Sequence, residues 1–212
     1  MSAGNRIVVA TLGDSITAGN PGWDPNPALH EIEGDDQTSQ FQYWAALADP
    51  RLEFRNHGVG GEVTGEILNR FEVAAADADV LIVQGGINDI VQGLSVELAA
   101  QNLKAIVLRG LERGLPVAIA DLLPWNRGWP EAEPKVRELN ALIAEIAAAA
   151  GIERLPFHDT LEDPDAPGRM QSELTADGNH PSVAGYRRLG ELAFRLPTAP
   201  VANALPNRSQ EF

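Results

Sequence analysis

Four short stretches of this chain hold the residue types that acyl transfer by serine requires: Gly13-Asp14-Ser15, Asn56-His57-Gly58-Val59-Gly60-Gly61-Glu62, Gly85-Gly86-Ile87-Asn88-Asp89 and Asp177-Gly178-Asn179-His180-Pro181. A hydroxyl attacks a carbonyl only when a base takes its proton, an anion orients that base and donors meet the developing oxyanion. Ser15 supplies the hydroxyl. His180 follows Asp177 by three residues, so one tight turn lets the carboxylate accept from Nδ1 while Nε2 faces Ser15. Pro181 suits the first turn of a following helix and stiffens that placement. Three donors are at hand. The Ser15 peptide N–H opens a helix and so lacks an internal partner, Gly61 has no side chain to block an approaching substrate, and the Asn88 amide is neutral at every pH.

Taken singly, each stretch has an ordinary structural reading. Gly, Asp and Ser are turn residues, and Asn88-Asp89 suits a helix cap. Asp177 and His180 make a plausible surface pair. The glycines of the second stretch suggest a phosphate cradle, but a G-x-G-x-x-G pattern fails at Val63 and no G-K-[ST] occurs. His57 adjoins the glycines and competes with His180 for the role of base, although only Glu62 stands at a spacing that would orient it. His30 and His158 lie apart from the four stretches. No H-E-x-x-H or other paired histidine spacing occurs, so neither a metal nor another cofactor is expected.

The stretches act together only if the fold gathers them. Ile7 to Ala10 reads as a strand running into Ser15, followed by a Pro-, Gly- and Asn-rich excursion over residues 20–40. A helix follows, with Phe41, Trp44 and Ala45 on one face, and then a strand over Leu52 to Gly58. Helices are expected over Thr64 to Ala76, Ser95 to Arg113 (with Leu98, Asn102, Ala105 and Leu108 or Val107 on one face), Lys135 to Ala150, and Ser182 to Phe194. Strands are expected at Asp79 to Gly86, Leu115 to Leu123 and Ile152 to Thr160. The third of the helices carries a Val136, Leu139, Ile143, Ile146 stripe and stops at Gly151. Strands alternating with long helices imply crossovers and a doubly wound parallel sheet of about five strands. In such folds ligands sit beyond the carboxyl ends of the strands, and the first three stretches each follow a strand.

The chain has 212 residues, enough for one domain, assigned here to residues 1–196, with residues 197–212 expected as a mobile tail. Sixteen Lys and Arg against thirty Asp and Glu give a net charge of −14, which repels phosphate backbones and anionic lipid surfaces. Nucleic acid and membrane are therefore not expected as partners. Cysteine is absent, which rules out a thiolate nucleophile and disulfides. No stretch approaches the ~18 apolar residues of a membrane helix, and the N-terminal apolar run is short for a signal segment, so a cytoplasmic location is expected.

In order and spacing, "GDSIT", "NHGVGGE", "GGIND" and "DGNHP" resemble the four blocks of the SGNH hydrolases, the GDSL-type esterases and lipases. The resemblance spans about residues 7–195. It implies a three-layer α/β/α fold and a serine esterase with Ser15, Asp177 and His180 as triad. The Ser15 amide, Gly61 and Asn88 would form the oxyanion hole; choosing Gly61 over Gly60 rests on aligning Asn56 and Glu62. Ile16 replaces the leucine of the usual first block, which leaves the nucleophile untouched. Thr17 stands where a G-x-S-x-G elbow would need its second glycine, against an ordinary α/β-hydrolase. The partner is then a small ester. Lacking a long amphipathic lid helix, the chain is read as favouring short-chain, water-soluble esters. Trp125, Asn126 and Trp129 form a candidate substrate wall, with simple loop packing as the other reading. Carbohydrate O-acetylester hydrolysis, lysophospholipid or thioester cleavage and acyl transfer use the same residues. A non-catalytic module binding acylated glycans is the alternative from another class.

Overall fold

The computed structural model describes residues 6–198. Five strands, β1 (Ile7–Gly13), β2 (Leu52–Gly58), β3 (Val80–Val83), β4 (Val117–Ala120) and β5 (Glu153–Leu155), form a parallel sheet in the order β2-β1-β3-β4-β5. Alternate strand residues enter opposite cores, which is why β3 and β4 are apolar without interruption. Leu81, Val83, Val117 and Ile119 face one cluster; Val80, Ile82, Ala118 and Ala120 face the other.

Helices α4 (Thr64–Asn69), α5 (Phe71–Ala74), α7 (Val96–Glu112) and α8 (Ala132–Ala150) cover the first face. The second is covered by α3 (Phe41–Ala48), α9 (Phe157–Leu161) and α10 (Val183–Arg188), the last continuing as a π turn over Leu189–Ala193. Short helices α1 (Ser15–Ala18), α2 (His30–Glu33) and α6 (Ile87–Val91) lie in the connections. A hairpin of β6 (Glu162–Asp163) and β7 (Ala166–Met170) completes the described chain. The result is the expected doubly wound α/β/α sandwich. Its strand order reverses direction between β1 and β3, so the crevice outside their carboxyl ends is where a ligand is expected.

Several elements depart from the sequence reading. The helix expected over Thr64 to Ala76 breaks at Arg70, whose backbone takes φ −93° and ψ 0°. Helix α7 buries Ala99, Leu103, Ile106 and Val107 and leaves Leu98 and Leu108 exposed, so its inward face is turned from the expected one. Helix α8 starts three residues earlier than Lys135, with Pro134 in the first turn, where no backbone donor is needed. The fifth strand stops at Leu155 because Pro156 has no N–H to continue the ladder, and Phe157 to Leu161 is helical. The β6–β7 hairpin had no counterpart in the sequence reading. The excursion is partly ordered by α2 and by a bridge between Trp23 and Asp35. Residues 199–212 of the expected tail lie outside the described residues. Among the described residues no helix is long and apolar enough to cross a membrane.

Candidate active site

Each of the first three stretches ends a strand, and together they occupy the crevice at the reversal of strand order. Asp14 caps α1, its Oδ1 accepting from the Ile16 N–H at 3.0 Å. That places Ser15 in the first turn with its own N–H unused by the helix. Gly58 is required where β2 passes α1: a Cβ there would stand 2.0 Å from the Ala18 nitrogen. Gly61 follows at φ +83°, a left-handed conformation that glycine adopts without strain.

The fourth stretch is a loop tied by its own polar groups. The Ala176 N–H donates to the His180 carbonyl at 2.9 Å and the Thr175 hydroxyl donates to the same oxygen. Asp177 Oδ1 accepts from the Asn179 and His180 peptide N–H groups at 2.8 and 2.7 Å. Its Oδ2 lies 2.8 Å from His180 Nδ1, and His180 Nε2 lies 3.1 Å from Ser15 Oγ. Burial pushes the Asp177 carboxyl up, but the hydrogen bonds from the His180 ring and from the two peptide groups outweigh it and hold the group below its ordinary 3.8. An ionised carboxylate therefore fixes the imidazole with Nε2 free to accept a proton from Ser15, an alignment separated by 165 residues in sequence.

Ser15 and His180 open into a cavity of about 640 Å³, which also exposes Gly60, Gly61 and Asn88. Asn88 Nδ2 donates one hydrogen to the Glu62 carbonyl at 2.9 Å, leaving its second hydrogen available. Among the described residues nothing accepts from the Ser15, Gly60 or Gly61 peptide N–H. A Cβ on Gly60 would lie 4.0 Å from Ser15 Cβ, whereas one on Gly61 would meet nothing within 4 Å. Helix α6, which carries Asn88, is anchored by Asp89: its carboxylate accepts from the Thr64 N–H at 2.9 Å and from the Thr64 hydroxyl at 2.7 Å. His57 also lines the cavity, but its ring makes no hydrogen bond to Ser15. Burial, with Arg70 and Arg55 nearby, lowers its pKa and favours the neutral ring.

The loop after β4 is placed differently from the wall considered above. Trp125, Asn126 and Trp129 are not among the residues lining this cavity. Trp125 borders a separate cleft of about 20 Å³ with Ile16, Gln84 and Ile87, and its Nε1–H donates to Asn179 Oδ1 at 2.8 Å. Trp129 stacks edge-on against Trp125, and Asn126 pairs with the Met170 backbone through both of its amide atoms. The cavity wall comes instead from the excursion, through Asn20, Asp24, Asn26 and Glu33. Sequence reading had left this excursion without a role; its length and density of turn residues were the available signal. Among the described residues, the acidic and histidine side chains close enough to share an ion are His158, Asp159 and Glu162, none of which lines the cavity.

Comparison with known proteins bears on the family and the fold. The model of the GDSL-like lipase/acylhydrolase family matches residues 11–188, from β1 to the end of α10. No curated protein sequence matches the chain. A structure assigned to the lipolytic G-D-S-L family from Desulfitobacterium hafniense superposes with TM-score 0.72 at 23% identity, over 88% of this chain and 97% of that one. The lipase/acylhydrolase from Enterococcus faecalis gives 0.67 at 24% identity, over 87% and 91%. AlinE4, an SGNH-hydrolase family esterase, gives 0.59 at 25% identity, over 84% and 90%. With the match running across all four stretches, the chain belongs to the GDSL-like lipase/acylhydrolase family, the SGNH hydrolases.

Proposed function

We propose that the chain is a serine esterase that hydrolyses short-chain carboxylic esters through an acyl-enzyme on Ser15. The observation that carries the reading is the continuous hydrogen-bonded line from Asp177 through His180 to Ser15. In the first half-reaction His180 Nε2 takes the Ser15 proton and Oγ bonds to the ester carbonyl carbon. The oxyanion is met by the Ser15 N–H, the Gly61 N–H and the spare hydrogen of Asn88, and the imidazolium returns its proton to the departing alcohol. In the second, His180 deprotonates a water that attacks the acyl carbon, and Ser15 leaves as its hydroxyl. Asp177 holds the ring in the tautomer this needs and stays ionised throughout.

The short-chain reading draws on the cavity wall. Apolar side chains there are confined to Pro25, Leu29 and Val59, while Asp24, Asn26, Glu33 and the glycine backbone are polar. An alkyl chain would gain ~0.8 kcal/mol only for each CH₂ that reaches one of these three side chains. The test is hydrolysis of p-nitrophenyl acetate, butyrate and octanoate by the native chain and by Ser15→Ala. Turnover highest on the short esters and lost with Ser15 supports the reading. Full activity in Ser15→Ala removes it.

A further inference from the structure

Arg70 stands at the break between α4 and α5, and its guanidinium ties both ends of the Asn56–Glu62 stretch to the end of β1. Nε donates to both Glu62 carboxylate oxygens at 3.0 and 2.9 Å, and one terminal nitrogen reaches Glu62 Oε2 at 2.5 Å. That same nitrogen donates to the Gly13 carbonyl at 3.1 Å, two residues before Ser15, and the other donates to the His57 carbonyl at 2.8 Å. Glu62 in turn offers its carbonyl to Asn88 Nδ2. Both side chains are largely covered, at 26% and 17% exposure, so the pair is not a solvated surface bridge. A planar guanidinium meets two carbonyls and both carboxylate oxygens from three separate nitrogens, whereas an ammonium offers its three donors from a single point.

We propose that Arg70 is a positioning residue for the oxyanion hole. Bound to Glu62, Gly13 and His57, it sets the Gly60–Glu62 turn against the end of β1. Through the Glu62 carbonyl it also fixes the rotation of the Asn88 amide, so that the spare Asn88 hydrogen and the glycine N–H point to the atom Ser15 attacks. This rests on the esterase reading above. It adds that the geometry of the donors depends on a side chain that lines the same cavity but makes no hydrogen bond to Ser15, His180 or Asn88. Misplacing reacting groups by about 1 Å costs on the order of 10²-fold in rate, and Arg70 makes no hydrogen bond to Asp177, His180 or Ser15 itself.

The experiment uses the full chain as native protein, Ser15→Ala, Arg70→Lys, Arg70→Gln, Arg70→Ala and Glu62→Gln, with p-nitrophenyl acetate as substrate. Arg70→Gln is expected to lower kcat about 10- to 100-fold with KM within about threefold, and to leave the shape of the pH profile unchanged. Arg70→Lys recovers only part of the loss, and millimolar guanidinium restores turnover to Arg70→Ala. In ¹⁵N–¹H spectra the two Asn88 side-chain amide resonances move together toward free-amide positions in Arg70→Gln and Glu62→Gln. Retained kcat, unmoved Asn88 resonances, or a loss that follows melting temperature without rescue by guanidinium would overturn the proposal. If the native chain hydrolyses no ester, the functional reading has failed, and the Asn88 resonances alone decide the role of Arg70.

Discussion

Replacing Asp14 by Asn tests how the fold holds a carboxyl beside the nucleophile. Asp14 is fully buried; Oδ1 accepts from Ile16 N–H, but Oδ2 has no partner within hydrogen-bonding distance. Desolvation raises its pKa from 3.8 to about 6, offset in part by the Ile16 N–H, the nearby Gln84 amide and His180. At 1.36 kcal/mol for each pH unit, the ionised form costs the fold about 3 kcal/mol relative to the unfolded chain. Between the two values the folded state binds the proton and the unfolded state does not. Stability from this group is therefore greatest in acid and is lost as pH rises through about 6. Between pH 8 and pH 5, about 1 kcal/mol of the difference is expressed. Asn keeps the cap on Ile16 and cannot titrate. Urea unfolding of both proteins at intervals from pH 8 to pH 5 should show native stability gaining about 1 kcal/mol on Asp14→Asn as pH falls. A fixed cost of burying the new amide cancels in that difference. A gap that does not change with pH would refute a buried, titrating Asp14.

Three further outcomes follow from the same structure. Asn88→Ala should lower kcat on the order of 10²-fold, as loss of one oxyanion donor does elsewhere, and undiminished kcat would remove Asn88 from the mechanism. Trp125→Phe deletes the donor to Asn179, next to His180; kcat should fall severalfold on every ester alike, whereas a changed acyl-length preference in Trp125→Ala would make the loop a substrate wall. Gly58→Ala puts a methyl 2.0 Å from the Ala18 nitrogen and should destabilise the fold by about 3 kcal/mol or more, read from the urea midpoint; a midpoint unchanged from native would deny the close packing of β2 on α1.

The sheet was legible because β3 and β4 are apolar at every position and the helices between them are long enough to cross over. The four site stretches were legible because each puts its chemistry within a few residues of a strand or helix end. What escaped is long-range. Arg70 reaches Gly13 across 57 residues, and no local periodicity marks an arginine within an expected helix as a clip between loops. The break in the helix at Arg70 escaped for the same reason. The apolar pattern continues through Phe71 and Ala74, which are buried in the same core as Ile67, so the sequence reads as one helix. The tryptophans announced themselves by type but not by destination: Trp125 packs and donates to Asn179, while the cavity is walled by small polar residues of the excursion that carry no periodic signal. The unpartnered Oδ2 of Asp14 is a property of burial, which turn chemistry does not reveal.

The most direct test of Ser15 as nucleophile is covalent. The native chain is treated with a serine-directed organophosphate such as diisopropyl fluorophosphate, and intact mass and peptide mapping locate the adduct. The account expects one equivalent on Ser15, formed slowly or not at all in His180→Ala, and no adduct in Ser15→Ala. An unmodified native chain, or an adduct that persists in Ser15→Ala, would contradict it.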